Sequence, residues 1–377
     1  LTTVVVGLEI LTGVCAGLED AELEGEGDGA ADEADSEFGD AICASLTPDD
    51  DDEAMDEDAD DISDEALIEK GRDPTSAPNG STQHKVATSV TLSHLLTTLS
   101  LPARLTTLAS LHSLSFPPSS AMPSIHPPTT SILSVLHLRA LETLNNLLLT
   151  VVASLPEEPT RRSQIAGVIP VDQVWTSNFG TIDMLLSEPQ ALSQKGQELR
   201  IEVLEMALGC TWGCAKIAPE ALVRCESGTV VVNADMQTLS DSQVKTLMDG
   251  PQVLRGDLAK TRCVDTLGAL ASRQTVSVEE NKVIGGWLVS QIASTTNTEL
   301  LIAILNAVID VYSDETRPYD SVFVSEGYLD VLSKSVGRVR AEVRKIDRRK
   351  NLQLRAVGEE VYENLTAFIK YRRALRR

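Results

Sequence analysis

Residues 132–153, ILSVLHLRALETLNNLLLTVVA, decide how the rest of this chain is read. Leu133, Leu136, Ala140, Leu141, Leu144, Leu147, Leu148 and Val151 recur at steps of three and four, so a helix gathers them on one face. Leu and Ala carry the pattern, and both combine high helix propensity with easy packing. Leu155-Pro156 ends the run. A face this wide needs other helices to cover it, and the flanking sequence supplies them. Upstream, Leu92, Leu95, Leu96 and Leu99 start the period, and Leu105, Leu108 and Leu111 continue it after Pro102, placed as a first-turn proline. A Pro-rich loop from Phe116 to Thr130 leads into the central run. Downstream, helices are predicted near 171–187, 198–215, 237–249, 251–273, 276–294, 298–313, 320–346 and 350–371. Gly228 to Asn233 is the one short β-like run, too little to carry a sheet.

Many of these segments are joined by short polar stretches such as Ser313-Asp314-Glu315, which argues for antiparallel helix pairs. Pairs of about 40–47 residues are the period of HEAT and armadillo arrays, so residues 91–377 should hold roughly six units. The fold class expected is all-α, an α-solenoid of HEAT/armadillo-like helical repeats; a globular helical bundle is the alternative packing. Composition agrees with stacked helices. Apolar residues make up 42% of the chain but aromatics only 3%, so the core must be aliphatic.

The net charge of −24 is concentrated in one place. Between Glu19 and Glu65 lie 23 acids and no Lys or Arg, leaving 33 acids against 32 bases elsewhere. Residues 19–90 are therefore expected to be a long, disordered acidic loop, since like charges and few apolar groups leave too little burial to offset ordering entropy. Phe38, Ile42, Leu46, Met55, Ile62, Leu67 and Ile68 are spaced through it, and Asp60 to Lys70 can form a short helix. Apolar anchors in an acidic chain point to folding on a partner, against the plainer reading of a solvated linker. Residues 1–18 read as one amphipathic helix through Val5, Leu8, Leu11, Val14, Cys15 and Leu18. It is expected to close a repeat whose partner helices lie outside this chain, and the opening at Leu1 reads as a fragment lacking an N-terminal region.

Signals for catalysis are poor. The five histidines, His84, His94, His112, His126 and His137, sit in loops or on Leu-rich helices, and there is no His-Glu-x-x-His pattern, phosphate loop or nucleophile elbow. Cys210 and Cys214 share a helical face and make at most half a metal site; core thiols are the better reading. Asp56, Asp58 and Asp60 have calcium-loop spacing, but Asp61 stands where the turn glycine belongs and Leu67 where the bidentate Glu belongs, so no calcium site is assigned. No cofactor is expected. The six cysteines are too scattered for a disulfide framework. No apolar run reaches the roughly 18 residues a membrane span needs.

The C-terminal hundred residues carry something more specific: Asn281 to Leu288 (NKVIGGWL), Ala307 to Glu315 (AVIDVYSDE), Tyr319-Asp320, Phe323, Gly327 and Leu329, then Lys345 to Lys350 (KIDRRK), Glu363-Asn364-Leu365 and Phe368 to Tyr371 (FIKY). This string resembles the C-terminal HEAT repeats of the symportin family, co-importers of the ribosomal proteins of the 5S particle. The order of an acidic loop followed by HEAT repeats resembles that family too. The resemblance implies a non-enzymatic chaperone and adaptor, shuttling between cytoplasm and nucleus. Its partners would be basic large-subunit ribosomal proteins and, through an N-terminal region outside this chain, an importin, with no direct nucleic acid and no membrane. It implies cargo contact by the acidic loop and the inner face of the superhelix. Within the loop the candidate partner-binding residues are Asp49, Asp50, Asp51, Asp52, Glu53, Asp56, Glu57, Asp58, Asp60, Asp61, Ile62 and Leu67.

A polyanion suits such cargo, because ribosomal proteins expose many Lys and Arg residues and charge steers their capture. The reading in another class is a generic HEAT-repeat scaffold or a histone-type acidic chaperone. Three further expectations concern the array itself. Trp175, Trp212 and Trp287 are core or inter-repeat packing; Asn145, Asn146 and Asn306 are candidates to hold an extended peptide by its backbone; and the basic set Arg338, Arg340, Arg344, Lys345, Arg348, Arg349, Lys350, Arg355, Lys370, Arg372, Arg373, Arg376 and Arg377 is a solvated helix face, or else a counter-surface for the acidic loop.

Overall fold

The computed structural model describes residues 2–23, 90–118, 124–156, 164–194, 197–224 and 237–375. The central run forms the long helix the leucine period demands. α3, Pro127–Ala153, starts on two prolines whose missing N–H groups cost nothing in a first turn, and it buries Leu136, Ala140, Leu141, Leu144, Leu147, Leu148 and Val151. Each fully buried Leu contributes roughly 2 kcal/mol of apolar transfer.

Around it the helices are α1 Thr2–Leu23, α2 Leu101–Ala109, α4 Val171–Leu186, α5 Glu198–Ile217, α6 Asp241–Val253, α7 Asp257–Ser272, α8 Val278–Ser294, α9 Thr298–Tyr312, α10 Asp320–Ser325, α11 Tyr328–Lys345 and α12 Leu352–Leu375. They stack in two layers. α1, α3, α5, α7, α9 and α12 pack side by side in one layer, and α2, α4, α6, α8 and α11 each lie against the following member of it. The repeating unit is an antiparallel helix pair, and one continuous aliphatic core runs between the layers. This is an all-α solenoid. Among the described residues it has five helix pairs rather than six, because insertions at 110–126 and 218–240 lengthen the early units beyond the expected period.

Close approach of α3 and α5 rests on two glycines. A Cβ at Gly213 would lie 2.9 Å from Leu148 Cβ, and one at Gly209 would collide with the Asn145 amide. Helix starts follow capping chemistry. Ser240 accepts from Gln243 N at 3.2 Å while Gln243 Oε1 accepts from Ser240 N at 3.1 Å, a reciprocal capping box that opens α6. Ser277 and Asn297 cap α8 and α9 in the same manner.

Several expectations are corrected. α1 runs to Leu23, past residue 18, and its partner is inside the chain: Leu8 and Cys15 bury against α3, and Thr12 and Thr143 share a 2.7 Å hydrogen bond. The helix predicted from 251 begins instead at Asp257, since α6 carries Pro251 into its last turn. Residues 320–346 form two helices, not one, because Gly327 takes a left-handed φ of 67° that few other residues tolerate. Strands β1 (Leu222–Arg224) and β2 (Gln237–Leu239) pair in parallel, a two-stranded ribbon where no sheet was expected; Gly228 to Asn233 lies outside the described residues.

Candidate functional site

One side of the α1/α3/α5/α7/α9/α12 layer packs on the second layer; the other side is open. Its lining follows from helical period. On α5 Glu198, Glu202, Glu205, Trp212 and Lys216 keep contact with solvent and form a stripe at steps of three, four and seven, flanked by the half-buried Leu199, Ile201 and Met206. The matching positions are Arg139, Glu142 and Asn146 on α3, Arg262 and Asp265 on α7, and Asn306 and Asp310 on α9. The stripes lie side by side because their helices do.

The charges form a seam that crosses five helices. At one end Arg139 Nε sits 3.3 Å from Glu9 Oε1 on α1, and Arg139 Nη1 donates to Glu142 Oε2 at 2.8 Å. Glu142, Glu9 and Glu202 all raise the Arg139 pKa. Further along, burial and then the Glu202 charge push the Glu205 carboxyl up. Asp265 is pushed up to about 6, by burial first and by Asp310 as well, with Arg262 and Lys216 offsetting part of the rise. Burial raises Asp310 against the pull of Lys216. Three carboxylates on adjacent helices are thus held with less cationic compensation than their burial calls for. A guanidinium or ammonium brought to this face would lower all three.

Trp212 stands in the middle of the seam, half-buried. The Arg262 guanidinium stacks over its ring with Cζ 4.3 Å from the centroid, and the indole Nε1 is buried with no hydrogen-bond acceptor. With its N–H closed off from the surface, Trp212 presents ring rather than a donor to the open face. The face therefore offers carboxylates for the side chains of an extended basic segment and an aromatic surface beside them.

The candidates read from sequence divide. Asp49, Asp50, Asp51, Asp52, Glu53, Asp56, Glu57, Asp58, Asp60, Asp61, Ile62 and Leu67 lie outside the described residues. Trp175 is core as expected, its Nε1 donating to Gln243 Oε1 at 3.3 Å, and Trp287 packs partly buried against the core. Trp212 is not core but packs between repeats, stacked against Arg262 of α7 at the edge of the open face. Asn145 is corrected: it is buried in the α3–α5 contact and offers nothing to a peptide. Asn146 Nδ2 reaches Thr12 O at 3.5 Å, and Asn306 stays on the open face. Glu202, Glu205, Asp265 and Asp310 were not singled out from sequence. Each sits in an ordinary helical polar position; stacking brings Asp265 and Asp310 beside Lys216 of α5, while Glu205 lies next to Glu202 and against Gly256.

The basic C-terminal set also divides. Arg338 donates to the carbonyls of Ile292, Ala293 and Thr295 and so caps the end of α8. Arg355 holds Val343 O at 2.7 Å. Arg372 is buried, bonded to Asp320 and stacked 4.3 Å from the Phe323 ring. These three are structural and do not belong to a solvated face. Cys15, Cys210, Cys214 and Cys263 are buried thiols. No three His, Cys, Asp or Glu side chains cluster as a metal site among the described residues. No described helix is long and apolar enough to cross a membrane.

Comparison with known proteins agrees with the architecture. A family model described as SYO1-like, TPR repeats, matches residues 90–376. A Schizosaccharomyces pombe armadillo repeat protein involved in nucleocytoplasmic transport, Syo2, is 38% identical over 143 residues, 37% of this chain and 21% of that protein. Symportin 1 of Chaetomium thermophilum is 29% identical over 115 residues, 30% of this chain and 17% of its own length. Synchronized import protein 1 of Saccharomyces cerevisiae is 25% identical over 170 residues, 44% of this chain and 27% of its own. The matched stretches span about a sixth to a quarter of those relatives.

Proposed function

The chain belongs to the SYO1-like family of helical-repeat proteins, and from that premise we propose that it is an adaptor in nucleocytoplasmic transport that captures basic ribosomal proteins of the 5S particle. Its cargo is held by two acidic elements, the open face of the α1/α3/α5/α7/α9/α12 layer and the run from Asp49 to Leu67. The observation that supports this reading is the line of carboxylates on the open face, where burial raises Glu205 on α5, Asp265 on α7 and Asp310 on α9. Basic side chains spaced along an extended segment satisfy these carboxylates.

The names of the relatives support transport as the setting, and shuttling between nucleus and cytoplasm follows from it. Binding here needs no bond-breaking step. Coulombic attraction brings the cargo in, with a reach of about 8 Å at physiological salt. Displacement of water from the carboxylates and closure on the indole then fix the register.

The test is competitive binding at physiological salt. The full chain, a variant lacking residues 24–70 and the variant Glu205→Lys/Asp265→Lys are offered the two ribosomal proteins of the 5S particle and a core histone. Preference for a ribosomal protein, lost in either variant, is the expected outcome. Equal binding to the histone overturns the cargo assignment and leaves a generic polyanion binder.

A further inference from the structure

The last two helices carry a groove that the cargo reading does not use. Ser333, Val336 and Arg340 lie on one stripe of α11, and Tyr362, Thr366, Ile369, Lys370 and Arg373 on the facing stripe of α12. Between them is an open cleft of about 590 Å³. Its floor is apolar: Ile369 is buried and Val336 half-covered, and the half-covered Tyr362 continues the stripe one turn beyond the cleft. Its rim is cationic. Arg340 lies 6.0 Å from the Tyr362 ring centroid, Arg373 Nη2 donates to Ser333 Oγ at 3.0 Å, and Lys370 is exposed beside it. A cleft of this kind fits a short segment that alternates acids with a few apolar anchors.

We propose that this groove docks the chain's own residues 56–68, DEDADDISDEALI, with Ile62 and Leu67 on the apolar floor and their flanking acids against Arg340, Lys370 and Arg373. The match is one of charge and of pattern. No base occurs before Lys70, so the segment meets the basic rim with no cation of its own. The lengths allow it. Five helix-to-helix steps of about 8–10 Å separate α1 from α12, about 40–50 Å in all. Leu23 to Ile62 spans well over 100 Å and Ile68 to Val90 about 70 Å when extended at about 3.3 Å per residue. Both arms therefore reach. Docking sequesters the acids until a basic cargo competes for them, which makes the groove an internal competitor that rejects weakly basic proteins.

Carbodiimide crosslinking of the full chain tests this, joining carboxylates directly to lysines, with no cargo present. Failure here therefore leaves the adaptor reading standing. Crosslinks from Lys370 to residues 56–65 should exceed those from Lys245 or Lys282 by at least about fivefold and vanish in 1 M salt. Arg340→Glu/Arg373→Glu, which keeps Lys370, should cut them about fivefold. Ile62→Ser/Leu67→Ser, which keeps every charge, should do the same. Circular dichroism checks that both variants fold. Equal crosslinking at all three lysines, or no effect of the serine pair, overturns the proposal in favour of diffuse charge attraction. Crosslinks that join isotopically labelled to unlabelled chains overturn it in favour of a second copy.

Discussion

Arg273 directs Nη2 onto both oxygens of Glu280, 2.7 Å from Oε1 and 2.6 Å from Oε2, with the two side chains closed off from water. Nη1 donates to Leu270 O at 2.8 Å, so the guanidinium ties the end of α7 to the start of α8. Beside it Asn281 Nδ2 donates to Ala271 O at 3.0 Å, and Asn281 Oδ1 accepts from the Tyr312 hydroxyl at 2.7 Å. Removing one partner leaves an uncompensated buried charge. Glu280→Gln should therefore lower stability by about 3–5 kcal/mol in urea unfolding. The double change Arg273→Met/Glu280→Leu should recover most of that loss. If both variants unfold alike, the pair is not desolvated.

The same cluster constrains Gly285. A Cβ there collides with the Tyr312 hydroxyl, which is already fixed on Asn281. Gly285→Ala should cost about 1–3 kcal/mol. Gly337, in the exposed middle of α11 with nothing near its missing Cβ, should behave oppositely: Gly337→Ala should stabilise by roughly 0.5–1 kcal/mol. Denaturant midpoints of the two variants decide it.

Asp265 gives the open face a pH dependence. Its carboxyl is raised to about 6, by burial above all, against about 3.9 in an unfolded chain. Between those values the folded protein holds a proton that the unfolded chain has lost, so this group makes stability fall as pH rises from about 4 to 6. A cationic partner favours the carboxylate and expels the proton. Affinity for a basic peptide should therefore rise between pH 5 and 7, and Asp265→Asn should flatten both trends. Peptide titrations and urea midpoints at pH 5, 6 and 7 measure the difference from wild type.

Trp212→Ala should weaken an extended basic peptide about tenfold with little loss of stability, since the ring is half-exposed. Trp175→Ala, at a fully buried position, should cost about 3–5 kcal/mol and act through folding. Equal effects of the two on melting temperature would remove Trp212 from the binding face.

Burial pushes the Cys214 and Cys263 thiols up to about 12 and Cys15 up to about 11. At pH 8 these sulfurs are protonated and enclosed. Mass spectrometry after iodoacetamide treatment should find them unmodified in native protein and alkylated after unfolding.

Fold class was legible because its signal is local. Leu133 to Val151 repeats every three or four residues, and a helix of that pattern has only one face to bury. Each joint short enough to reverse the chain then dictates an antiparallel pair. The breaks that were missed have local causes that composition hides: Gly327 reads as one more helical residue until its φ is known, and Pro251 reads as a boundary although the last turn of α6 admits it. α1 was assigned a partner outside the chain because its true partner, α3, begins more than 100 residues away in sequence.

The sequence by itself determined the helical period, the aliphatic core, the segregation of acid between Glu19 and Glu65, and the string that marks the family. Only the tertiary structure decided which charges are neighbours. Lys216, Asp265 and Asp310 lie on three helices about 50 residues apart, and nothing in the spacing of one helix predicts the next helix's register. Likewise Arg338, Arg355 and Arg372 look like their exposed neighbours in sequence, yet each is consumed by a carbonyl or a buried carboxylate. Periodicity is set within a few residues by backbone geometry; a charge's environment is set by the packing of elements far apart in the chain, through burial and proximity that no one-dimensional pattern records.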